Sequence, residues 1–459
     1  MTRLRHRLTA AAAAASLLAG LAAPAYAQSE SGSASLARIR DAEIESNLRT
    51  WATPVWVAAG LDPNQVQIIL VNQNVINAFV AGGLNIFLYA GLLMQSDSAN
   101  QVTGVIAHET GHIAGGHLAR MSDALQNAQI IQILGMILGA AAIAVSRNAE
   151  AGTTGMAAGT DLAVRNLLSF SRTQERSADQ AGVTFLEHSG QSARGLLEFM
   201  RKLEGQEFMN AWRQDPYLRT HPLTQDRIDF IAHFLETSKY ANAAPRAGYV
   251  EQHARMRGKL NGFLLPAARV FQHYKEGDNS VEARYARSIA YHRESKEQEA
   301  NKLIDSLLAE HPDDAFYNEL KAQFLFEAGK VADAIAPYRK ANQEFPHNAL
   351  LESELAQALV ETADQRYNAE ALSNLNEASS LENDDPMTWR LLAVVYGRQG
   401  DEGRTALALA EQSYAEGRYI DARGQAKRAQ QILPYGSPGA LRAQDIEQAA
   451  DKAYKDSKK

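Results

Sequence analysis

An alternation of apolar and short polar residues predicts a small β-sheet near the start of the chain. Between residues 67 and 88 the apolar side chains recur in the pattern of half-buried strands, and the pair Gly82-Gly83 marks a turn inside this stretch. We therefore expect a small sheet or hairpin here and helices in most of the remaining chain.

Two helices with apolar faces are predicted after this sheet. Ser98 and Gln101 form a capping box, and the apolar residues after them extend a helix to about Arg120. A second helix covers residues 161–188 and ends at Gly190, which suits a C-terminal cap. Both helices carry groups of His, Asp and Glu.

A repeat with a period of 34 residues is visible from residue 281 onward. Pro312 and Pro346 are one period apart, and Gly329 marks the turn inside the unit between them. The small, large and aromatic positions typical of a tetratricopeptide repeat are filled by Ala322, Leu325, Ala334, Tyr338 and Ala341. Roughly four to five imperfect units predict an α-solenoid, because each helix pair buries its apolar face only against its neighbours. A non-repeating helical bundle is the alternative.

The composition is that of a globular protein with two or three folded units. The chain has 459 residues, 46% of them hydrophobic, and carries 46 Lys and Arg against 53 Asp and Glu, for a net charge of −7. This acidic balance, without a basic run, argues against a nucleic-acid partner. Cysteine is absent, which excludes disulfides and cysteine nucleophiles and restricts metal ligands to His, Asp and Glu.

The first residues have the pattern of a cleaved export signal. Three arginines precede residue 8, an Ala- and Leu-rich stretch runs to Pro24, and Ala25 and Ala27 are the small residues of a cleavage site. We expect export and cleavage after Ala27, so residues 1–27 should form no part of the fold.

One later apolar run bears on membrane contact. The run from Ile133 to Val145 has 13 residues, fewer than the roughly 20 that a helix needs to span a bilayer. A buried helix is therefore expected, with a peripheral membrane contact through residues 130–146 as the alternative.

His108-Glu109-Thr110-Gly111-His112 is an HExxH motif on the first predicted helix. The two histidines are four residues apart and lie on one face, where both imidazoles can bind the same Zn²⁺. Glu109 is displaced enough to reach a water molecule beside the metal and to act as general base. Apolar flanks bury this helix, and two buried histidines need a partner, which favours a metal site over an ordinary surface helix.

A catalytic zinc keeps three protein ligands and one open position, so the motif requires a third ligand. The position ten residues after His108 is Leu118, and the neighbouring His117 suits a supporting role beside the ligands. Glu175 on the second predicted helix is the better candidate, with Asp179 one turn on to orient a ligand imidazole. The alternative for this acid pair is a solvated helix surface.

Further motifs complete a family pattern. Besides HExxH and the Glu-xxx-Asp helix, the chain contains Asn77-Ala78-Phe79, Gly82-Gly83, Thr220-His221-Pro222-Leu223 and Arg227. In this combination the chain resembles the HtpX-like and CAAX-prenyl-protease-like gluzincin metallopeptidases. The resemblance covers residues 45–436 and includes exported members that carry tetratricopeptide repeats.

The resemblance implies a zinc site with one ion per chain. Its implied ligands are His108, His112 and Glu175, with Glu109 as the general base. Many relatives have a second acid where this chain has Ser177. The assignment of Glu175 therefore depends on its four-residue spacing to Asp179.

Two further residues acquire catalytic roles through the resemblance alone. His221 and Arg227 are implied to lie near the open zinc position, and the histidine of this motif can occupy the fourth zinc site and hold the enzyme latent. On the residues alone, His221 before Pro222 is equally well explained as the cap of a helix over 222–234.

The resemblance also implies an edge strand that binds substrate. Asn77, Phe79, Gly82 and Gly83 match the family's active-site strand, which binds an extended polypeptide by backbone pairing. A plain core hairpin is the alternative.

The predicted fold class is mainly α. It combines an α+β gluzincin-like metallopeptidase domain, with its small β-sheet, and an α-solenoid of tetratricopeptide repeats. The expected boundaries are a signal peptide at 1–27, the metallopeptidase domain at 28–248, a connecting helix at 249–280, the repeats at 281–436 and a C-terminal tail at 437–459. Apolar residues in the connecting helix predict that it packs back on the catalytic domain.

The function implied by the resemblance is that of an exported zinc endopeptidase with chaperone-like activity, which cleaves misfolded or stalled outer-membrane polypeptides. The implied partner of the repeats is the beta-barrel assembly machinery, with the protein in the periplasm and peripheral on the outer membrane. Two alternatives stay open. One is a repeat-based chaperone or assembly adaptor with a largely latent metal site, and the other is a zinc hydrolase with a non-protein substrate.

Overall fold

The computed structural model describes residues 37–117, 157–204 and 216–458. The predicted export signal at 1–27 and the apolar run at 130–146 lie outside these residues. The strands are β1 (Arg38–Ile39), β2 (Gln67–Val71), β3 (Ala78–Ala81) and β4 (Asn85–Tyr89). The first helices are α1 (Ala42–Ala58), α2 (Ala90–Gln95), α3 (Ala99–Ala114), α4 (Ala157–His188), α5 (Arg194–Leu203), α6 (Pro216–Thr220) and α7 (Gln225–Thr237). They are followed by α8 (Tyr249–Leu264), α9 (Ala267–His273), α10 (Val281–Arg293), α11 (Glu297–Glu310), α12 (Ala315–Glu327), α13 (Val331–Glu344), α14 (Ala349–Glu361), α15 (Asn368–Leu381), α16 (Pro386–Arg398), α17 (Glu402–Ala415), α18 (Tyr419–Ile432) and α19 (Pro438–Asp456). Among these described helices, none has an apolar stretch long enough to cross a bilayer.

The strands form one four-stranded sheet in the order β1-β2-β4-β3. β2 and β4 are parallel, with Ile68 beside Ile86, whereas β1 and β3 run antiparallel to their neighbours. Gly82 and Gly83, with φ of 59° and 96°, form the turn that joins β3 to β4 and confirm the predicted turn. Within the described residues β3 pairs only with β4, so its other side is an open edge.

Glycines let α3 and α4 cross at close range. A Cβ on Gly111 would lie 2.5 Å from the carbonyl oxygen of Ala178, and one on Gly182 would lie 3.1 Å from that of Ala107. A larger residue at Gly111 would push the helices apart, because interiors are close-packed. The crossing therefore brings the HExxH face of α3 against the acidic face of α4.

Helix α3 starts as predicted but ends earlier. Ser98 Oγ accepts a hydrogen bond from the backbone N–H of Gln101 at 3.3 Å, and the Gln101 side chain accepts one from the residue before Ser98. The predicted extension to about Arg120 is wrong, because α3 ends at Ala114. Two glycines follow, and Gly116 takes a φ of 60° that breaks the helical path.

The helices from α10 to α18 form the predicted helical repeats, and α19, in the region predicted as a C-terminal tail, packs against α18. Each helix packs against the next along the chain, and short connections make neighbours antiparallel. The small and aromatic repeat positions Ala322, Ala334, Tyr338 and Ala341 are buried between helices. The predicted fold class, a small-sheet α+β domain followed by a helical solenoid, is therefore confirmed.

Helix α8 connects the solenoid to the domain before it. Its Met256 and Leu260 belong to the same buried core as Trp51 of α1. On the other side of α8, a Cβ on Gly258 would lie 2.7 Å from the carbonyl oxygen of Glu282, so α10 approaches very closely. The predicted docking of the connecting helix is confirmed, and this helix is shared by both parts of the molecule.

A buried cluster of charges fixes α8 to α1 and to the repeats. Lys259 Nζ lies 2.8 Å from Asp41 Oδ2, 3.5 Å from Glu43 Oε2 and 3.1 Å from Glu319 Oε2. Arg255, also on α8, donates two hydrogen bonds to the carboxylate that caps α12. Because these charges are buried, each depends on its partners to offset the cost of losing water.

Burial of His253 on α8 predicts a loss of stability in acid. Its Nε2 lies 2.8 Å from Ser96 Oγ, and burial together with the charge of Arg257 lowers the pKa of His253 to about 4. The unfolded chain takes up this proton near the ordinary pKa of about 6.5, so between these two values it binds more protons than the folded chain. The free energy of unfolding should therefore fall by up to about 3 kcal/mol as the pH drops through this window.

Urea denaturation at a series of pH values measures this slope. His253→Gln should flatten it, whereas the same change at His233, whose side chain is exposed, should leave it unchanged. A wild-type slope in the His253→Gln protein would contradict the assignment.

Candidate metal centre

Two imidazoles of α3 direct their Nε2 atoms to the same point. His108 Nε2 and His112 Nε2 are 3.1 Å apart, as four-residue spacing on a helix allows. The other ring nitrogen of each has a neighbour: His108 Nδ1 lies 2.9 Å from Asp179 Oδ1, and His112 Nδ1 lies 3.0 Å from His117 Nδ1. These contacts orient both rings and leave both Nε2 atoms for a shared ligand.

Helix α4 brings two carboxylates to these imidazoles. Glu175 Oε2 is 3.3 Å from His108 Nε2, and its Oε1 is 3.4 Å from His112 Nε2. Asp179, one turn on, contacts the opposite side of the His108 ring. Both acids are buried, whereas Ser177 between them is exposed. The acid pair is therefore a packed face and not a solvated surface.

Arg227 of α7 forms ion pairs with both acids. Its Nε and Nη2 donate to Asp179 at 2.6 and 2.8 Å, and Nη1 lies 2.9 Å from Glu175 Oε2. The side chain is 3% exposed. The resemblance implies a place near the open metal position, but the structure places the guanidinium on the carboxylates, because a buried cation needs anionic partners. Arg227 thus acts through the acids as a positioning residue.

His221, directly after α6, completes the cluster. Its Nδ1 lies 3.3 Å from His108 Nε2 and 3.2 Å from Glu175 Oε1, and its Nε2 donates to the carbonyl oxygen of Ala78 at 3.2 Å. Nε2 carries a proton because a carbonyl oxygen only accepts. The Glu175 carboxylate favours a second proton on Nδ1, and binding of a metal ion would have to displace that proton. Thr224 is the N-cap of α7, so the capping alternative for His221 is wrong.

Strand β3 lies beside this cluster. The carbonyl oxygen of Ala78 faces away from β4, since it accepts from the imidazole of the cluster. Asn77 is buried at the start of the strand, and Phe79 stacks on Phe87 of β4 with ring centroids 4.8 Å apart. The glycine turn at 82–83 is at the far end of β3. The predicted edge strand is thus next to the predicted metal ligands.

Glu109 is buried without a hydrogen-bond partner. Neither carboxylate oxygen accepts a hydrogen bond from the described residues, and the closest charged contact is His221 Nε2, 3.5 Å from Oε1. A buried carboxylate without partners is costly, so Glu109 is ready to accept a hydrogen bond or a proton from a bound molecule.

Electrostatics keep the acids of the cluster ionised. Burial by itself would raise the pKa of Glu175, but the charge of His221 and the hydrogen bonds of the imidazoles hold it well below its usual range. Burial opposes ionisation of Asp179 as well, and Arg227 outweighs it and lowers that pKa. Hydrogen bonds to both acids overcome burial and raise the pKa of His108 to about 10. A metal ion must therefore displace histidine protons when it binds.

The cluster fits a zinc ion. Ligand atoms of His108, His112, Glu175 and His221 all lie within 4.8 Å of one another. Two imidazoles and a carboxylate, without cysteine, are the donor set of a catalytic zinc site, and His221 adds a third imidazole to the same cluster.

Comparison with known proteins agrees with this donor set. Residues 38–235 match the family model described as peptidase family M48. This part of the chain is therefore similar to M48 peptidases. Its metal cluster and HExxH motif lie inside the matched residues, so the protein is a metallopeptidase.

The similarity to individual relatives extends into the repeats. This chain is 26% identical to the beta-barrel assembly-enhancing protease of Yersinia pestis over 385 residues, which are 80% of this chain and 75% of that protein. It is 29% identical to the beta-barrel assembly-enhancing protease of Escherichia coli (strain K12) over 362 residues, 74% of this chain and 69% of that protein. The metalloprotease LoiP of Escherichia coli (strain K12) is 31% identical over 163 residues, 34% of this chain and 57% of that protein.

The residues of the cluster are arranged for peptide hydrolysis. His108, His112 and Glu175 would hold a metal ion, which when bound would supply Lewis-acid chemistry for a peptide carbonyl and a water molecule. Glu109, whose carboxylate oxygens have no hydrogen-bond partner among the described residues, would accept a proton from the attacking water and return it to the leaving nitrogen. Asp179 holds His108 in the tautomer whose Nε2 is free.

Tyr217 is a residue of the site that the sequence patterns did not predict. Its ring stacks on His221 with centroids 4.6 Å apart, and its backbone carbonyl accepts the N–H of His221. Tyr217 and His221 are four residues apart, and this helical spacing is the sequence feature that indicates a contact between their rings. Tyr217 holds the imidazole against the cluster.

Proposed function

We propose that this metallopeptidase is a zinc-dependent endopeptidase that cleaves misfolded or stalled outer-membrane polypeptides in the periplasm. The observation that carries the proposal is the open edge of β3 beside the metal cluster. An edge strand pairs with an extended chain through backbone hydrogen bonds, whatever its side chains. Unfolded polypeptides offer such extended segments, and folded proteins rarely do.

His221 supports a latent resting state for this enzyme. Its Nδ1 reaches the metal ligands, and its Nε2 occupies the carbonyl oxygen of Ala78 on the edge of β3. One imidazole therefore covers both the fourth metal position and a backbone group that a substrate strand would pair with. Displacement of His221 would free both together.

His221→Ala should accordingly raise basal proteolysis several-fold, because water then replaces imidazole at the open position. The measurement is cleavage of a denatured, fluorescently labelled polypeptide, with the metal content of each protein determined in parallel. His233→Ala, on the exposed face of α7, is the control. Lower activity at unchanged metal content would instead assign His221 to transition-state stabilisation, and an unchanged rate would reject both roles.

The repeats are the proposed contact to the beta-barrel assembly machinery. Two relatives that match most of this chain are named for beta-barrel assembly, and their similarity includes the solenoid. A solenoid presents an extended surface suited to a polypeptide partner. The export pattern of residues 1–27 supports the further proposal that the protein acts in the periplasm, peripheral on the outer membrane and with chaperone-like activity toward its clients.

A repeat-based adaptor with a latent metal site is the second candidate. The position of His221 at the cluster favours this candidate, because a metal site covered by His221 suits a protein whose role does not require catalysis. If a Glu109→Gln protein supports outer-membrane assembly fully in cells, the adaptor role explains the function in assembly without proteolysis.

The direct test of the proposed activity compares one polypeptide in two states. The wild-type protein, with its metal measured by elemental analysis, should contain one zinc and cleave the denatured form much faster than the folded form. Equal rates for both forms would contradict substrate capture by the edge strand.

A further inference from the structure

A basic cavity of about 460 Å³ lies between the end of α2 and helices α8 and α9. Arg257, Arg269 and His273 line it, and no acid is among its lining residues. The whole chain carries a net charge of −7, so this concentration of positive charge is a local exception. The cavity is suited to an anionic group.

Arg257 lines the cavity, and the protein satisfies only part of the hydrogen-bonding capacity of its guanidinium. Its Nη2 lies 3.4 Å from Glu282 Oε1, and its Nη1 donates to the carbonyl oxygen of Ser96 at 3.4 Å. Its Nε has no hydrogen-bond partner. Charge-assisted contacts of arginine are usually much shorter, so this guanidinium retains donor capacity for a stronger acceptor.

Arg269 faces the same cavity from α9. It is exposed, and no acid of the described residues forms an ion pair with it. Two guanidinium groups on neighbouring helices can therefore bind one anion together, as paired arginines do with carboxylates and phosphates.

Apolar residues in the cavity wall favour a ligand that carries an apolar group beside its anionic group. Met94, from the end of α2, and Leu265, from the end of α8, line the cavity beside the arginines, and Met94 is 8% exposed. A free phosphate would leave this apolar surface in contact with water. A ligand with an apolar group next to its anion covers the wall and gains from burial.

We propose that this cavity binds the C-terminal carboxylate of a polypeptide that ends in an apolar residue. The carboxylate contacts Arg257 and Arg269, and the terminal side chain packs on Met94 and Leu265. The polypeptide nature of the ligand rests on the proposed function, whereas the anion site itself does not.

The cavity is separate from the metal cluster. Helix α3 starts shortly after α2 and rises about 14 Å from Ala99 to His108. The walls come from both the metallopeptidase domain and the connecting helices, so the site exists only while α8 is docked. It thus holds one end of a chain while another segment of that chain reaches the cluster.

The test measures binding to the full mature Glu109→Gln protein, so that no probe is cut. The probe is a short fluorescein-labelled Gly/Ser peptide ending in Leu, with either a free or an amidated C-terminus. By fluorescence anisotropy the free acid should bind about tenfold more tightly than the amide. Arg269→Gln, an exposed change that folding should tolerate, should reduce this ratio to about one. Arg404→Gln, at an exposed arginine of α17, should preserve it.

Three results would overturn the proposal. One is equal affinity for the free acid and the amide, and another is an unchanged ratio in the Arg269→Gln protein. The third is equal affinity for peptides ending in Leu and in Ser, with inorganic phosphate displacing both at the same concentration, since the site would then recognise only an anion. Because no cleavage is required, failure of the proposed proteolysis would leave these outcomes unaffected.

Discussion

Glu109→Gln should keep the metal and lower kcat/KM for a denatured polypeptide by about two to four orders of magnitude, the range expected for loss of a general base. The carboxylate oxygens of Glu109 have no hydrogen-bond partner among the described residues, so the amide disturbs no existing contact. The metal ligands His108, His112 and Glu175 are untouched. Cleavage is followed by fluorescence, and zinc per chain by elemental analysis.

The matched control is Glu236→Gln on α7, a glutamate with an exposed side chain. It should cleave at the wild-type rate. Undiminished cleavage by the Glu109→Gln protein at full zinc content would rule out Glu109 as the proton acceptor. Loss of zinc in this variant would make the change uninformative about the base and would assign Glu109 to the support of the metal.

Lys259→Met should lower the free energy of unfolding by about 3–5 kcal/mol, the usual cost of removing one partner from a buried ion pair. Lys259 is fully buried among Asp41, Glu43 and Glu319, and the variant leaves Asp41 and Glu319 without this cation, whereas Glu43 keeps its ion pair with Arg255. Burial, with the charge of Asp41, already raises the pKa of Glu319 to about 7. Part of the loss should therefore be recovered at lower pH, where Glu319 takes up a proton.

Urea denaturation at two pH values measures this effect. Lys321→Met on α12 is the control, because Lys321 is only partly buried and pairs with the exposed carboxylate of Asp305, so the pair should contribute at most about 1 kcal/mol. Equal midpoints for the two variants would show that the cluster around Lys259 does not hold α1, α8 and the solenoid together.

Point variants test the repeats better than truncation does. Val270 and Tyr274 pack in one cluster with Ala283 and Ala286 of α10. A cut after Asp278 would therefore expose a core, and loss of function could follow from unfolding alone. Substitutions on the solenoid surface leave this cluster intact.

The local parts of the site were predictable from residue spacing. His108 and His112 lie on one face, as do Glu175 and Asp179, because four residues make about one helical turn. The capping pair at Ser98 and the glycine turn between β3 and β4 were likewise visible, since caps and turns depend on a few neighbouring residues.

The contacts of Arg227 could not be predicted from the sequence, because they depend on which helix faces pack together. Its guanidinium lies on Asp179 and Glu175, about fifty residues away along the chain, and no periodic pattern reports such a contact. The end of α3 was also misjudged, because apolar periodicity past Ala114 continues in the sequence while the backbone turns at Gly116.

The sequence by itself determined the fold class, the HExxH chemistry and the existence of the repeats, because each can be recognised from spacings of a few residues or from a regular repeat period. Only the tertiary structure decided that His221 contacts both the metal ligands and the edge of β3, and that α8 carries buried charges between two parts of the molecule. These contacts join residues far apart in the chain. Their energies depend on close packing and on exclusion of water, which exist only once the elements have come together.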